Sequence, residues 1–101
     1  MRPIHWVELD KSRPALVLTR PEAGRFLHRV TVAPITSTVR GIAIEVPVGP
    51  QHGLKHESVV NFDNITTVHR DRLGARIGFL GEDEDEAVLL AIQQAFALLP
   101  H

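Results

Sequence analysis

The sequence has no cysteine and no tyrosine, and its 101 residues include only one Trp, one Met and four Phe. The absence of cysteine excludes a disulfide framework, a thiolate zinc site and a cysteine nucleophile. Long apolar runs are also missing, since no stretch approaches the roughly 18–20 uninterrupted apolar residues of a membrane span. The first residues, MRPIH, lack the apolar stretch of a signal peptide. We therefore expect a cytoplasmic protein without a membrane partner.

The apolar residues that are present suffice for one core. Hydrophobic residues make up 44% of the chain and charged residues 23%, a balance typical of a folded globule rather than a disordered tail. Single domains most often contain about 100–150 residues. The chain is therefore predicted to form a single domain over residues 1–101.

The net charge of -1 hides an uneven distribution along the chain. All 11 Lys and Arg precede Gly81 together with seven of the 12 acids, which gives this part a charge of +4, while the other five acids follow it and give -5. Nine of the eleven bases are Arg, whose planar fork suits phosphate oxygens. The basic part therefore remains a candidate for binding an anionic polymer despite the overall balance.

Short β-type runs separated by turn signals fill the first eighty residues, and no helical pattern lies between them. Strands are predicted at residues 4–9, 13–19, 27–35, 42–48, 58–62, 65–68 and 76–80. The second is apolar on both faces and is expected to be central, while residues 20–24 read as a loop. The pattern favours a mainly β fold, and an SH3-like small antiparallel barrel over about residues 1–80 fits the length.

A helix is predicted over about residues 82–99, ended by Pro100. It begins with five consecutive carboxylates, which the positive end of the helix dipole favours. Four large apolar residues recur at helical spacing and are predicted to face the core: Leu89, Ile92, Phe96 and Leu99. Further apolar residues lie beyond this face, namely Ala91, Ala95, Ala97 and Leu98. Their number predicts a homodimer, unless both faces pack within one chain.

Common catalytic signatures are absent: the sequence has no Gly-rich phosphate loop, no nucleophile elbow and no paired-histidine helix motif. His52 and His56 lie too isolated to predict a metal site, and we expect them in a solvated loop. Polar residues at strand ends are better candidates, namely Arg13, Thr36 with Ser37, and Asp63. Taken singly, each also fits a structural role as a solvated arginine, a turn cap or an Asx turn.

Three segments in register resemble one protein family. Residues 13–18 (RPALVL), 32–37 (VAPITS) and 58–68 (SVVNFDNITTV), followed by Leu73-Gly74, Ile77-Gly78 and a terminal helix, are similar to the MazF/PemK family of toxin endoribonucleases. The opening residues resemble the short-looped MazF toxins of mycobacteria and related actinobacteria. The resemblance implies the SH3-like barrel shared by MazF, CcdB and PemK toxins, a homodimer, RNA cleavage without a metal or other cofactor, and neutralisation by a MazE-like antitoxin.

The resemblance also implies roles for individual residues. Arg13 and Thr36 match the family's catalytic arginine and threonine, and Asp63 matches an aspartate that some members use as an acid or base. Neighbouring polar residues are expected to bind substrate: Lys11, Ser37, Thr38, Arg40, Asn61 and Asn64.

These residue types suit RNA cleavage by the 2′-OH. When this hydroxyl attacks the adjacent phosphate, the phosphorane gains negative charge that a guanidinium stabilises with two fixed donors. Thr36 Oγ1 is expected to donate a further hydrogen bond or to orient the 2′-OH. The expected products carry a 2′,3′-cyclic phosphate and a 5′-OH, DNA is inert, and single-stranded RNA is the favoured substrate.

The sequence departs from most family members in its first loop. Only residues 10–12 join the first two strands, so the long loop that flanks the RNA groove is missing, together with a histidine that some relatives carry there. Asn61 stands where the family has an arginine. The open groove suits structured RNA such as tRNA or rRNA as well as mRNA.

Two other functions compete with the nuclease. A toxin family with the same barrel poisons DNA gyrase and cuts nothing, and fold alone does not separate the two; the Arg13 and Thr36 segments favour the nuclease. A peptide-binding module is disfavoured because one Trp and no Tyr leave few aromatics for a proline-rich ligand.

Overall fold

The computed structural model describes residues 2–20 and 27–98. Within these residues the chain forms seven strands and one α-helix. The strands are β1 (Arg2–Glu8), β2 (Ser12–Val17), β3 (Arg29–Thr36), β4 (Glu45–Val48), β5 (Ser58–Asn61), β6 (Thr66–His69) and β7 (Leu73–Leu80), and the helix is α1 (Asp85–Ala95). Single 3-10 turns occur at Pro50–His52, Phe62–Asn64, Arg70–Arg72 and Glu82–Glu84. No helix in this part of the chain is long and apolar enough to cross a membrane.

The strands form one curled antiparallel sheet in the order β4-β5-β3-β2-β1-β7. β3 lies at its centre, because its first half pairs with β6 while its last residues, Ile35 and Thr36, pair with β5. β2 covers the other edge of β3. The expected mainly β fold, a curled antiparallel sheet followed by one C-terminal helix, is confirmed.

The core follows from the alternation of side chains along the strands. In β2, Leu16 packs into one apolar cluster, whereas Ala15 and Val17 pack into a second cluster on the other face. Phe62 and Leu80 join Leu16 in the first cluster, which α1 covers. A strand buried on both faces must be central, so this prediction for β2 is confirmed.

The predicted strand over residues 42–48 is wrong at its start. Residues 43 and 44 form a turn and β4 begins at Glu45. The Glu45 carboxylate accepts hydrogen bonds from the backbone N–H groups of Arg40 (3.1 Å) and Gly41 (2.8 Å), which curls the preceding residues around it. Conversely, β7 begins at Leu73, three residues before the predicted start. The predicted loop at residues 20–24 lies almost wholly outside the described residues.

The predicted helix is too long at both ends. Residues Glu82–Glu84 form a 3-10 turn and α1 stops at Ala95. Ala97 adopts a left-handed φ of 54°, and the N–H of Leu98 donates to the carbonyl of Gln93 (2.8 Å), which is the pattern of a Schellman helix end. The chain therefore leaves the helix before Pro100, which lies outside the described residues.

The face of α1 that meets the sheet also differs from the prediction. Val88 and Ala91 are buried, with Ile92 partly buried against the same cluster. The predicted Leu89 and Phe96 are instead 54% and 56% exposed, and Leu99 is not described. Small side chains bring the helix close to the sheet, so Val88 and Ala91 are favoured over the larger residues there.

A buried histidine fastens the loop after β4. His52 is only 6% exposed, so the expected solvated loop is wrong at this residue. Its Nδ1 accepts a hydrogen bond from the N–H of Gly49 (3.1 Å), which leaves Nε2–H to donate to Glu84 (2.8 Å). Gly53 and Gly78 lie so close that a Cβ on either would overlap the facing backbone. The loop is thereby fixed against β7 and the start of α1.

Candidate functional site

The sheet register brings together two of the predicted catalytic residues. Ala15 of β2 pairs with Pro34 of β3, and the same register continued towards the strand ends places Arg13 opposite Thr36. Both residues lie where their strands meet solvent, and both line two adjoining pockets. Residues that are 23 positions apart in the sequence thus become neighbours because β2 and β3 are antiparallel partners.

Arg13 is held by a carboxylate that the sequence reasoning did not single out. Asp10, in the short turn between β1 and β2, accepts hydrogen bonds from Arg13 Nε (2.9 Å) and Nη2 (3.0 Å). This fork-to-fork contact holds the pKa of Asp10 far below its usual range and raises the pKa of Arg13 further. An aspartate three residues before an arginine, on either side of a tight turn, is the sequence signal from which this pair could be predicted.

Thr36 has its own fixed orientation. Its Oγ1 accepts a hydrogen bond from the backbone N–H of Thr38 at 3.1 Å, which is the local turn that a threonine after an apolar strand favours. Because an acceptor site is used, the hydroxyl hydrogen stays available to donate to another oxygen. Arg13 and Thr36 together offer positively polarised hydrogen atoms at one strand end.

The larger pocket is a groove of about 940 Å³. In the part of the chain that the structure describes, four arginines line it, Arg13, Arg29, Arg40 and Arg72, against two carboxylates, Glu8 and Asp10. The predicted substrate-binding residues Thr38, Arg40, Asn61 and Asn64 lie in this lining. Several lining residues were missed: Glu8, Arg29, Thr66, Thr67, His69 and Arg72. Only the pairing of β6 with β3 brings most of these residues to the groove, and the sequence gives no direct signal of that pairing.

The smaller pocket, of about 460 Å³, adjoins the groove. It shares Arg13, Ile35 and Thr36 with the groove and contains the predicted residues Lys11 and Ser37. Arg13 and Thr36 therefore stand at the junction of two recesses, so a chain-like ligand can lie across them and extend to either side.

Asp63 is not brought to this junction. It is exposed and is absent from the linings of both pockets. Its backbone N–H donates to Asn61 Oδ1 at 2.8 Å, so an Asx turn is present, but the side chain that forms it is Asn61 and not Asp63. The acid-base role of Asp63 therefore stays a prediction that rests on the family resemblance alone.

The five carboxylates of residues 82–86 lie away from the site. Asp85 pairs with Arg2 (3.1 Å) and Glu84 with His52, and none of residues 82–86 lines either pocket. In the described part of the chain no group of three or more His, Asp or Glu is close enough to hold a metal ion. The acidic end thus leaves the positive character of the groove intact.

The chain is similar to proteins of known family along almost its whole length. A family model described as PemK-like, MazF-like toxin of type II toxin-antitoxin system matches residues 4–96. Endoribonuclease MazF3 of Mycobacterium tuberculosis is 51% identical over 98 residues, which cover 97% of this chain and 95% of the relative.

Solved structures show the same architecture. Mycobacterium tuberculosis toxin MazF-mt6 superposes with a TM-score of 0.93 at 50% identity, over 95% of this chain and 97% of that one. A mycobacterial endoribonuclease in complex with its cognate antitoxin superposes with a TM-score of 0.85 at 26% identity, over 98% of this chain and 95% of that one. The family match over residues 4–96 includes every described residue that lines the two pockets.

Proposed function

The chain belongs to the PemK-like, MazF-like family of type II toxin-antitoxin toxins, and from this premise we propose that it is a sequence-selective endoribonuclease. The observation that carries the proposal is the meeting of Arg13 and Thr36 at the junction of two cation-lined pockets. Two of the relatives described above are named endoribonucleases, which favours this activity over the gyrase poison.

The proposed reaction is an intramolecular displacement at phosphorus. The 2′-oxygen forms a bond to the phosphate and loses its proton, the bond from phosphorus to the 5′-oxygen breaks, and that oxygen gains a proton. Arg13 stabilises the charge that develops on the phosphorane oxygens, and Thr36 donates to one of them or orients the 2′-OH. No cofactor takes part, and the products end in a 2′,3′-cyclic phosphate and a 5′-OH.

The remaining site residues are proposed to bind RNA. Thr38, Arg40, Asn61 and Asn64 contact the part of the strand in the groove, whereas Lys11 and Ser37 contact the part in the smaller pocket. Single-stranded RNA fits these recesses because its phosphates and bases are accessible together. The short turn before β2 leaves the groove open, which suits mRNA and also exposed loops of tRNA or rRNA.

The proposal extends to assembly and location. A MazE-like antitoxin segment, disordered until bound, lies across the groove and covers Arg13. Two copies of the single domain of residues 1–101 associate through the apolar residues that α1 and its end leave exposed: Leu89, Leu90, Phe96 and Leu98. The toxin acts in the cytoplasm, where its substrate is made.

Incubation of the purified protein with total RNA in EDTA tests the activity. We expect cleavage, products with cyclic-phosphate ends, and at least a hundredfold loss in Arg13→Ala, since removal of one charge-stabilising donor costs about 10²–10³ in rate. Arg76→Ala is the matched control, because Arg76 is exposed and lies outside both pocket linings. Intact RNA together with cell toxicity would overturn the proposal in favour of gyrase poisoning.

Mapping the cleavage sites by primer extension tests the substrate class. We expect one recurrent sequence, with cleavage in exposed loops of tRNA or rRNA as well as in mRNA. Cleavage confined to unstructured transcripts would contradict the role given to the open groove. Asp63→Asn in the same assay tests the acid-base role that the family resemblance implies, and unchanged cleavage would exclude it.

A further inference from the structure

The smaller pocket, here called the Trp6 pocket, has a different character from the groove. Its floor continues the main core, since Ile35, Leu54 and Ile77 all belong to or pack against the core cluster under α1. Trp6 and Pro14, which pair across β1 and β2, form another part of the lining. The pocket thus presents an apolar surface at its base that is open to solvent.

Charge in the Trp6 pocket has one sign. Lys11, Arg13 and Lys55 line it, and no Asp or Glu among residues 2–20 and 27–98 does. The groove on the other side of Arg13, by contrast, contains two carboxylates. This recess combines an apolar floor with cationic side chains. It therefore favours a ligand that has a flat apolar part linked to an anionic group.

Trp6 is exposed at a position where the sheet is irregular. Between the pairs His5 with Arg76 and Val7 with Leu73, β7 has one residue more than β1, so two residues of β7 oppose Trp6. Such a bulge bends the strand that carries the extra residue, here β7. The only Trp of the chain is 43% exposed and lines the pocket, so its exposed surface is available for stacking.

The far wall of the Trp6 pocket is held in place before any ligand arrives. Gly53, Lys55 and His56 contribute to this wall. It follows directly after His52, which Gly49 and Glu84 fix, and the close approach of Gly53 to β7 prevents the wall from moving towards the sheet. A preformed pocket binds without a large cost of ordering.

We propose that the Trp6 pocket binds one unpaired nucleobase of the RNA, next to the scissile phosphate, by stacking on Trp6 while Lys11 and Lys55 contact the adjoining backbone phosphates. The inference rests on the proposed endoribonuclease function. Continuity supports it, because Arg13 and Thr36 line both recesses and a strand that crosses them enters the Trp6 pocket with its next nucleotide. Aromatic stacking plus flanking cations is the means by which proteins hold single strands.

Intrinsic fluorescence tests the contact directly, since Trp6 is the only Trp. The ligand is an oligoribonucleotide with the mapped cleavage sequence and a single 2′-deoxy nucleotide at the cleaved position, which prevents reaction. We expect it to quench Trp6 fluorescence when it saturates the wild-type protein. An abasic nucleotide adjacent to the scissile phosphate should abolish the quenching, whereas an abasic nucleotide at the far end of the oligonucleotide should not.

Substitutions test the contribution to catalysis. We expect Trp6→Ala to lower kcat/KM on the mapped substrate by about 5- to 150-fold and Trp6→Phe to restore most of it. Phe79→Ala is the matched control, because Phe79 is equally exposed at 46% on the neighbouring strand β7 and lines neither pocket. Thermal unfolding of each variant identifies any loss that reflects misfolding.

The outcomes separate the two proposals. If wild-type protein leaves RNA intact, the endoribonuclease function fails and the subsite fails with it. If wild-type protein cleaves RNA but its Trp6 fluorescence is unchanged at saturation, or if a folded Trp6→Ala variant cleaves at the wild-type rate, the subsite is wrong and the function stands. If Trp6→Ala does not fold, quenching of the wild-type Trp6 fluorescence by the oligoribonucleotide still decides whether the subsite exists.

Discussion

Arg13 is the residue on which the site depends, and its side chain is only partly free. A guanidinium has five N–H donors, of which Nε–H and one on Nη2 are directed at Asp10. The remaining donors are available to a phosphate. Asp10 therefore lowers the local positive charge while it fixes the direction of the cation, so its removal should affect rate and binding differently.

Asp10→Asn is expected to lower the single-turnover cleavage rate about tenfold, because a reacting group displaced by even 1 Å costs up to about a hundredfold. Affinity for RNA should stay equal or rise, since a negative charge has been removed from the groove. Rapid-quench cleavage and equilibrium binding to a non-cleavable RNA measure the two effects. Asp83→Asn makes the same charge change outside both pockets and should alter neither. A wild-type rate in Asp10→Asn would show that Asp10 does not position Arg13.

The Asp10 carboxyl should titrate at an unusually acidic pH. Hydrogen bonding from Arg13 depresses the folded-state pKa of Asp10, so the stability that this contact adds is present above the ordinary pKa of Asp, about 3.9, and is lost only as the pH falls through the depressed value. NMR of the side-chain carboxyl carbon checks this. The chemical shift should remain that of a carboxylate through pH 3.9, and a midpoint near that pH would contradict the pairing.

At the scale of the elements, strands were easier to anticipate than the helix. β2 and β5 are marked by apolar runs bounded by turn residues, so their positions followed from the sequence. The orientation of α1 did not, because every position from 87 to 92 is apolar and several faces were possible. Contact with the sheet selected Val88 and Ala91, the smaller residues, and left larger ones exposed.

A pair of substitutions on adjacent positions of α1 tests this orientation. Val88→Ala removes two buried methyl groups and should lower the free energy of unfolding by about 2 kcal/mol. Leu89→Ala removes more carbon from a side chain that is 54% exposed in the single chain and should change it by less than about 0.5 kcal/mol, provided that both substitutions are made in a Leu90→Ser, Phe96→Ser background that removes the proposed dimer contact. Urea denaturation followed by circular dichroism at a concentration that keeps the oligomeric state constant gives both values. If Leu89→Ala lowered the free energy of unfolding more than Val88→Ala, the helix face predicted from the sequence, with Leu89 towards the core, would be correct.

For the whole molecule, the arrangement of charge and apolar surface decides what can bind where. The five carboxylates that follow Gly81 sit at the start of α1, where Arg2 and His52 engage two of them. Because these carboxylates lie outside the groove, they do not neutralise the arginines that line it. Apolar side chains at the other end of α1 remain uncovered, and such a patch on a small domain marks an interaction surface.

Replacing Leu90 and Phe96 together by Ser is expected to convert a homodimer to a monomer, because both side chains are more than half exposed in the single chain, at 52% and 56%. Analytical ultracentrifugation measures the mass directly. Leu27→Ser, at a residue 46% exposed elsewhere, is the control and should remain dimeric. A wild-type protein that sediments as a monomer would contradict the homodimer, and a double variant that stays dimeric would place the interface elsewhere.

The sequence by itself determined the mainly β class, the central position of β2 and the identity of Arg13 and Thr36 as candidates, because alternation, turn residues and motif resemblance are local properties. It also separated the basic part from the acidic end. Tertiary structure alone decided that Asp63 stays outside both pockets and that Trp6 lines a recess with Lys11 and Lys55. These outcomes depend on how the strands pair and on the buried His52, which bring together residues far apart in the chain.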